Sequence, residues 1–489
     1  MKKLLFIVLI TFILIVLGAC DLVLVPNNPQ NTLDDDFLSP DAFNVESFDR
    51  LFNDEVAKSI TIKITSSAWH ELDQSMKDYH KQFGTYRAGL YVRADMIFDD
   101  GSDELLEVKD IGLRTRGNLS RVRIQDDSGN LNPSHFKISF DEDFGLESLR
   151  ANGNRSVFEL EEIDLKYNKN LDDTYLTEKY SLDLFDKFGV YAQKTTLTKL
   201  YIQIGDTTHF YGLYTAFEPI DKKFLERRLD VIETKGNLYK SLWQQFGPAS
   251  LQNNYPSLAI GIRDLDTNYR PTYDLKTNKR VHDTSDLVDF ITQINILNHQ
   301  AFQTYIETHV DVDRLIRLLA VGVLLGNPDD YRAMGNNYYL YNQSNSNVWT
   351  MIPYDYDHGL AQGWDGSPIF SNWTVGADIY TWGNLNAHML SIENYPHPLV
   401  DKILNIEPYQ VLYETYLSEL INPENELFSF DAFDQLYQQQ KALYDQDLDH
   451  AMVNLRFDLR NIEWYINAKI ADISNQLSYY HQNPNQRGN

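Results

Sequence analysis

This chain has almost no cysteine and has fewer basic than acidic residues. It has one cysteine among 489 residues, which excludes a disulfide within the chain and any metal site built from several thiolates. It has 43 Lys and Arg against 70 Asp and Glu, a formal charge of −27 at pH 7. Nucleic-acid binding needs a basic surface that displaces counterions from phosphates, so this balance argues against a nucleic-acid partner. A local basic pocket is still allowed.

Long apolar runs are also scarce, and the one present lies at the start. After Met1-Lys2-Lys3, an apolar run extends from Leu4 to Leu17, which suits the core of a signal peptide and is short for a membrane span. The string Leu17-Gly18-Ala19-Cys20 that follows matches the bacterial lipobox. We therefore predict a lipoprotein signal peptide over residues 1–19. The mature protein would be anchored in the bacterial cell membrane by lipid on Cys20 and would face outward.

The rest of the chain divides by composition. Residues 20–55 combine prolines with a run of acids and predict a tether. With 43% apolar and 13% aromatic residues, the chain as a whole can form a large core. Apolar alternation predicts strands at Ser59–Ile64 and Phe136–Phe140, and helical spacing predicts a helix over Leu176–Phe188.

Two stretches carry residues suited to phosphate chemistry. The loop Arg116-Gly117-Asn118 precedes a strand that contains Lys137, and backbone amides near a glycine together with an ammonium group can hold phosphates. Glycines in hairpin loops are common, however, and a lysine on a strand usually points into solvent. From these residues alone, the signal for nucleotide binding is weak.

The second stretch follows a strongly apolar helix predicted over Val312–Gly326. A loop with Asp329 and Asp330 leads into a hairpin that ends in Asp355 and Asp357. Carboxylate and amide oxygens are the ligands that Mg²⁺ and Mn²⁺ prefer, and acids at strand ends are well placed for general-base catalysis. These acids could equally cap loops and form salt bridges, and their spacing does not decide between the two interpretations.

Six strings in order make the chain resemble the CotH-type spore coat kinases, atypical members of the protein-kinase-like fold. The resemblance runs from about Ile60 to Gly359. The strings are R-G-N-x-S at Arg116–Ser120, F-K-I-S-F at Phe136–Phe140, G-x-Y-x-x-x-E at Gly212–Glu218, G-N-L-Y-K at Gly236–Lys240, N-N-Y-Y-L-Y at Asn336–Tyr341 and I-P-Y-D-Y-D at Ile352–Asp357.

The resemblance implies an α+β protein with a kinase-like, two-lobed fold. The expected parts are a sheet-rich N-terminal lobe over residues 56–218, a C-terminal lobe with the catalytic loop and metal hairpin over residues 219–395, a helical extension over residues 396–481 and a frayed tail over residues 482–489. A cleft between the lobes would hold the nucleotide.

The resemblance also implies roles for individual residues. Lys137 corresponds to the strand lysine that pairs with the nucleotide phosphates, with Glu178 as its plausible partner. The residues expected around the nucleotide are Arg116, Gly117, Asn118, Lys137 and, beside the adenine, Glu218. Asp329 matches the catalytic aspartate, but the loop is longer than the family's usual spacing, so Asp330 competes for that role. The residues expected to bind the metal are Asn337, Asp355 and Asp357.

The function that the resemblance implies is transfer of phosphoryl from ATP, with Mg²⁺ or Mn²⁺, to Ser or Thr of a surface or coat protein with Ser/Thr-rich segments. An outward-facing lipoprotein meets little ATP, so the alternative is a surface-anchored adhesion or scaffold lipoprotein that keeps the kinase-like fold without catalysis. The presence of Lys137, Asp329, Asn337 and Asp355 together favours catalysis, because a scaffold need not keep all of them.

Overall fold

The computed structural model describes residues 43–118, 120–145, 152–363, 374–381 and 396–488. The predicted signal peptide, Cys20 and most of the predicted tether lie outside these residues. Within the described ranges, no helix combines the length and apolarity needed to cross a membrane. The described chain mixes sheets with helices, which confirms the prediction of an α+β protein.

Fourteen strands are described. They are β1 (Phe43–Asn44), β2 (Ser59–Ile64), β3 (Val92–Asp99), β4 (Leu106–Thr115), β5 (Phe136–Ser139), β6 (Arg155–Ser156), β7 (Glu162–Tyr167), β8 (Thr195–Ile204), β9 (Thr207–Phe217), β10 (Leu238–Ser241), β11 (Ile260–Gly261), β12 (Tyr273–Leu275), β13 (Tyr338–Asn342) and β14 (Trp349–Pro353). Seven of these strands close a barrel in the order β2-β3-β4-β5-β7-β9-β8. Five others form a second sheet in the order β11-β12-β10-β13-β14, and β1 pairs with β6.

Period-two alternation explains the barrel. In β2, Ile60, Ile62 and Ile64 are buried while the residues between them are half-buried, as expected for a strand with one face on a core. The pairing of β2 with β8 is parallel and closes the barrel, whereas the other barrel strands pair antiparallel. Closure leaves no unpaired barrel edge, so the side chains on the outer faces of the strands are the ones available to neighbouring elements.

The helices of the described chain lie mostly after the barrel. They are α1 (Phe48–Phe52), α2 (Ser66–Phe83), α3 (Thr177–Lys187), α4 (Lys222–Glu226), α5 (Ser285–Ile296), α6 (His299–His309), α7 (Val312–Leu325), α8 (Tyr331–Met334), α9 (Pro398–Ile403), α10 (Glu407–Leu420), α11 (Phe430–Tyr444) and α12 (Ile462–Gln482). The predicted helix Leu176–Phe188 is confirmed within one residue at each end.

A second hydrophobic core surrounds α7. Eleven of its residues are buried, which confirms the strongly apolar helix predicted from the sequence. Gly326 ends the helix in a left-handed conformation with φ 61°, where its backbone N–H donates to the carbonyl oxygen of Gly322. Helix α3, which lies between barrel strands in sequence, packs its buried face into this second core. This packing places the first turn of α3 beside the end of the β13–β14 hairpin.

Candidate active site

A lysine on the barrel meets three carboxylates from other elements. Lys166 Nζ lies 2.7 Å from Glu178 Oε2, 2.6 Å from Asp355 Oδ1 and 2.9 Å from Asp357 Oδ2. The Lys166 side chain is 13% exposed and that of Glu178 is 11% exposed, whereas that of Asp355 is 36% exposed. Asp355 is therefore the most accessible side chain of the cluster.

Local structure explains why these side chains converge. Strand β7 turns Ile163 and Leu165 into the barrel core, so Lys166 projects from the outer face. Glu178 is the second residue of α3. Asp355 comes two residues after β14 and has φ 60°, a left-handed conformation that aspartate tolerates better than most residues and that is frequent at functional sites.

One ammonium group cannot neutralise three carboxylates. Burial by itself would lower the pKa of Lys166, but Asp355, Asp357 and Glu178 raise it well above the usual value. Burial by itself would raise the pKa of Asp355, and Lys166 holds it low. Burial raises the pKa of Glu178 more than Lys166 lowers it. Burial therefore favours the protonated form of Glu178, whereas Lys166 favours the charged form of Asp355.

The cluster fits a divalent metal ion. Oxygen atoms of Glu178, Asp355 and Asp357 lie within 4.8 Å of one another. The three carboxylates exceed the single positive charge of Lys166, so the cluster can accept a divalent cation. Hard carboxylate oxygens are the ligands that Mg²⁺ and Mn²⁺ prefer. Such an ion would be held mainly by Asp355 and Asp357, the accessible members.

Asp329 and Asn337 lie together beside this cluster. Asn337 Nδ2 donates to Asp329 Oδ2 at 3.0 Å and to its backbone oxygen at 2.9 Å, and Asn336 Nδ2 donates to Asp329 Oδ1 at 2.8 Å. Both donations come from the amide nitrogen of Asn337, and no described residue donates to its Oδ1, which is therefore able to ligate a metal ion. Burial raises the pKa of Asp329 to about 6, which suits a group that takes up a proton near neutral pH.

Asp330 has a structural role instead. It is 3% exposed and is the N-cap of α8, where its Oδ1 accepts from the backbone N–H of Ala333 at 2.9 Å. Its Oδ2 accepts from the hydroxyl of Tyr356 at 3.1 Å. Both carboxylate oxygens are therefore engaged inside the protein. These hydrogen bonds favour Asp329 over Asp330 as the candidate catalytic aspartate, because the carboxylate of Asp330 already holds the catalytic loop in place.

Comparisons with known proteins agree with the six strings. The sequence model of a family described as "CotH kinase protein" matches residues 113–480. The chain belongs to this CotH family. It is 26% identical over 186 residues to the inner spore coat protein H of Bacillus subtilis (strain 168), an alignment that covers 38% of this chain and 46% of that protein. The chain thus spans about half the length of that curated relative. The solved Helicobacter pylori proinflammatory kinase CtkA matches over 66% of this chain and 90% of its own chain, with 10% identity and a TM-score of 0.26.

The predicted partner of Glu178 was wrong. Glu178 pairs with Lys166, and Lys137 on β5 pairs with Glu162 and, at 3.3 Å, with Asp164. The sequence carried a usable signal for Lys166. It lies on the strand directly before α3, whose second residue is Glu178.

Arg116 reaches the cluster from the R-G-N loop. Its Nε lies 3.2 Å from Asp164 Oδ1, and its Nη2 donates to the hydroxyl of Tyr354 at 3.0 Å, so it lies next to the residue before Asp355. Gly117 has φ 108°, a conformation that favours glycine. Asn118 faces away from the cluster, since its side-chain oxygen accepts from Arg270 at 3.3 Å. Of this string, the structure brings Arg116 beside the carboxylates and places Asn118 elsewhere.

The Glu218 side chain is buried and paired with two arginines. Its side chain is 0% exposed, and its carboxylate pairs with Arg227 and, at 2.7 Å, with Arg228. The backbone N–H of Lys194 also donates to it at 3.0 Å. These contacts tie the end of the barrel to the segment after α4. Because its oxygens are already engaged, the Glu218 carboxylate offers no hydrogen bond to an adenine, and its place in the nucleotide site stays a prediction.

Lys240, on β10, is a cation that the sequence analysis did not single out. Its Nζ lies 3.9 Å from the ring centroid of Tyr354. Burial, helped by the charge of Arg116 and opposed by Asp355, lowers its pKa to about 7. The G-N-L-Y-K string that ends at this residue was the signal that could have found it. Lys240 and Arg116 both contact Tyr354, the residue before Asp355, and so place two basic side chains next to the carboxylates.

Proposed function

We propose that this protein transfers the γ-phosphoryl group of ATP to Ser or Thr of a protein substrate with the help of Mg²⁺ or Mn²⁺. The observation that carries the proposal is the ammonium group of Lys166, which bridges Glu178 on α3 and Asp355 after β14. In protein kinases, a strand lysine paired with a helix glutamate and a metal-binding aspartate must be in place together. A scaffold without catalysis would have no need for this arrangement.

The proposed fold follows from the same elements. The barrel would form the N-terminal lobe, and the second sheet with the helices around α7 would form the C-terminal lobe of a two-lobed, kinase-like protein. Lys166 belongs to the barrel, whereas Asp355 belongs to the hairpin of the second sheet. The ion pair between them therefore joins the two parts at the place where a nucleotide cleft is expected.

The residues divide the work of phosphoryl transfer. Lys166, in place of Lys137, would neutralise the phosphate oxygens of ATP, and Glu178 would orient Lys166. Asp355, Asp357 and Asn337 would hold the metal ion, which when bound neutralises charge on the phosphates. Asp329 would accept the proton of the substrate hydroxyl while the oxygen of that hydroxyl forms a bond to the γ-phosphorus. The bond from that phosphorus to the bridging oxygen breaks, and ADP leaves.

The proposed location rests on the sequence alone. The lipobox that ends at Cys20 supports a lipoprotein held in the bacterial cell membrane and facing outward, with a surface or coat protein as substrate. Replacement of Cys20 by serine should abolish the incorporation of labelled palmitate in growing cells. Incorporation that persists in Cys20→Ser would contradict the lipid anchor.

The catalytic proposal is tested with labelled ATP and Mg²⁺ or Mn²⁺. Autophosphorylation and transfer to Ser/Thr-rich peptides are expected from the unaltered protein and not from Lys166→Met or Asp355→Asn. Lys199→Met is the matched control, because Lys199 is also a barrel lysine with one carboxylate partner, Asp447 at 2.8 Å, far from these acids in the chain.

The outcomes separate the proposed roles. Loss of label in Lys166→Met with full label in Lys137→Met would support the reassignment of the lysine, and the reverse pattern would overturn it. No label from the unaltered protein, together with no change in melting temperature on adding ATP and metal, would refute catalysis. The adhesion or scaffold function would then be the better explanation.

A further inference from the structure

Four arginines gather on the other side of the R-G-N loop. We call Arg87, Arg121, Arg263 and Arg270 the arginine cluster. Arg87 lies between α2 and β3 and Arg121 lies just after the loop, and they are 4% and 6% exposed. Arg263 and Arg270 lie between β11 and β12, in the second sheet's part of the chain. The cluster is therefore assembled from both parts of the protein.

None of these four arginines forms an ion pair with a carboxylate in the part of the chain that the structure describes. Arg87 Nε donates to the backbone oxygen of Asn118 at 3.2 Å, and Arg121 Nη1 donates to a backbone oxygen at 2.6 Å. Arg270 Nη1 donates to the side-chain oxygens of Asn118 at 3.3 Å and Gln244 at 2.9 Å. Every one of these acceptors is neutral.

Some of their nitrogen atoms have no hydrogen-bond partner within the described ranges. Among the described residues, Arg87 Nη1, Arg121 Nε and Arg270 Nε are buried without a hydrogen-bond acceptor. The neighbouring carboxylate of Asp274 is already used, since it accepts from the backbone N–H of Arg263 at 2.9 Å and pairs with Lys276 at 3.2 Å. Buried cations with unsatisfied donors are costly unless an anion completes them.

The charge of the chain makes this absence informative. Acids outnumber basic residues by 70 to 43, so carboxylates are plentiful, yet no acid of the described residues forms an ion pair with these guanidinium groups. Burial lowers the pKa of all four, and neighbouring guanidinium groups lower it further for Arg87, Arg121 and Arg263. Guanidinium groups present forked donors that match phosphate oxygens. A phosphate group is thus the kind of anion that this cluster suits.

The cluster is separate from the carboxylates at Lys166. Arg116 turns toward Asp164 and Tyr354, whereas Asn118, two residues later, turns toward Arg87 and Arg270. A phosphate bound by the arginine cluster would therefore be a different one from the phosphoryl group that is transferred beside Asp355. The cluster would hold this phosphate beside the R-G-N loop, at the border between the barrel and the second sheet.

We propose that the arginine cluster binds a phosphate group carried by the protein substrate, so that a segment already phosphorylated at one Ser or Thr is held while another enters the active site. The identity of the ligand as a substrate rests on the proposed kinase function, whereas the binding itself does not. The protein would then favour substrates with several closely spaced acceptor residues and would modify them successively.

The test measures binding to the full chain without ATP. The probes are a fluorescent peptide of alternating glycine and phosphoserine, the same peptide with unmodified serine, and inorganic phosphate as a competitor. We expect the phosphopeptide to bind and Arg263→Met/Arg270→Met to weaken it about tenfold or more, since each charge-assisted contact contributes strongly. The matched control is Arg93→Met/Arg456→Met, which removes the same charge from two half-exposed arginines that pair with carboxylates.

Three results would overturn the proposal. The first is equal binding of the phosphorylated and unmodified peptides. The second is an equal loss of phosphopeptide affinity in the cluster variant and the control variant. The third is displacement of the phosphopeptide by ATP, together with a loss of ATP affinity in the cluster variant as large as its loss of phosphopeptide affinity. The last result would assign the cluster to the nucleotide. Arg263 and Arg270 are not core residues, so a melting temperature that matches the control excludes misfolding. Phosphopeptide binding that is intact in a protein without kinase activity would refute the proposed function and leave the anion site standing.

Discussion

Removal of the Lys166 ammonium group should destabilise the protein in a way that depends on pH. In Lys166→Met, three carboxylates remain next to one another without their shared cation. Exposed ion pairs contribute about 0.5 kcal/mol, and removal of one partner of a buried pair costs about 3–5 kcal/mol. Glu178 is 11% exposed but Asp355 is 36% exposed, which places this cluster between the two cases. We expect a loss of about 2–3 kcal/mol in the free energy of unfolding at pH 7.

The sign of the pH effect follows from linkage. Without Lys166, the pKa values of the clustered carboxylates in the folded protein lie above their values in the unfolded chain. Such groups bind protons more readily when folded, so the penalty is full at high pH and is relieved as the pH falls toward 5. The difference in unfolding free energy between the unaltered protein and Lys166→Met should therefore narrow between pH 7 and pH 5.

The assay is urea unfolding followed by tryptophan fluorescence at both pH values, with and without Mn²⁺. A divalent ion can replace the missing cation. At a hundredfold excess over its dissociation constant, Mn²⁺ should raise the unfolding free energy of Lys166→Met by about 2.7 kcal/mol. This gain should exceed the gain of the unaltered protein. Lys199→Met serves as the control. If Lys166→Met were no less stable than Lys199→Met, with no dependence on pH or Mn²⁺, the reasoning about the shared cation would be refuted.

Three further predictions concern the acids whose roles the structure separates. Asp330→Ala should lower the free energy of unfolding by about 2 kcal/mol, because it removes the α8 N-cap and leaves the Tyr356 hydroxyl without its acceptor. Thermal melting measures this loss, and an unchanged melting temperature would contradict the structural role of Asp330. Glu218→Gln should lower the free energy of unfolding by about 3 kcal/mol, since two arginines lose their buried counter-ion. Calorimetric titration of the folded variant should show an unchanged affinity for ATP. A specific loss of ATP affinity would support Glu218 as part of the nucleotide site. The rate of phosphoryl transfer should fall about tenfold per pH unit below pH 6, because Asp329 becomes protonated there and cannot accept the substrate proton. A rate that stays constant from pH 7 to pH 5 would exclude Asp329 as the base.

Local sequence was enough for the catalytic loop and the hairpin. The buried helix α7, the loop that follows and the strands β13 and β14 are all close in sequence, so the meeting of Asp329 with Asn337 needs only short connections. Apolar alternation and helical spacing likewise predicted β2 and α3, because the period of a strand or helix is a local property. The six ordered strings indicated the CotH family, and the family's sequence model agrees.

Tertiary structure decided which lysine meets which acid. Lys137 and Lys166 both lie on alternating strands and both project from a barrel face, so the sequence pattern treats them alike. Only the closure of the barrel and the packing of α3 into the second core bring Glu178 to Lys166. Lys137 is left with the acids of the neighbouring strand β7.

The same reason explains the other contacts that the sequence left undetermined. By itself, the sequence determined the elements, the family and the acids of the catalytic loop and hairpin, since these depend on short-range periodicity and spacing. It did not show that Asp330 would cap a short helix, that Glu218 would be enclosed by two arginines, or that four arginines from distant segments would share one loop. Those contacts depend on side chains far apart in the chain, and only the packing of the barrel against the second sheet determines their partners.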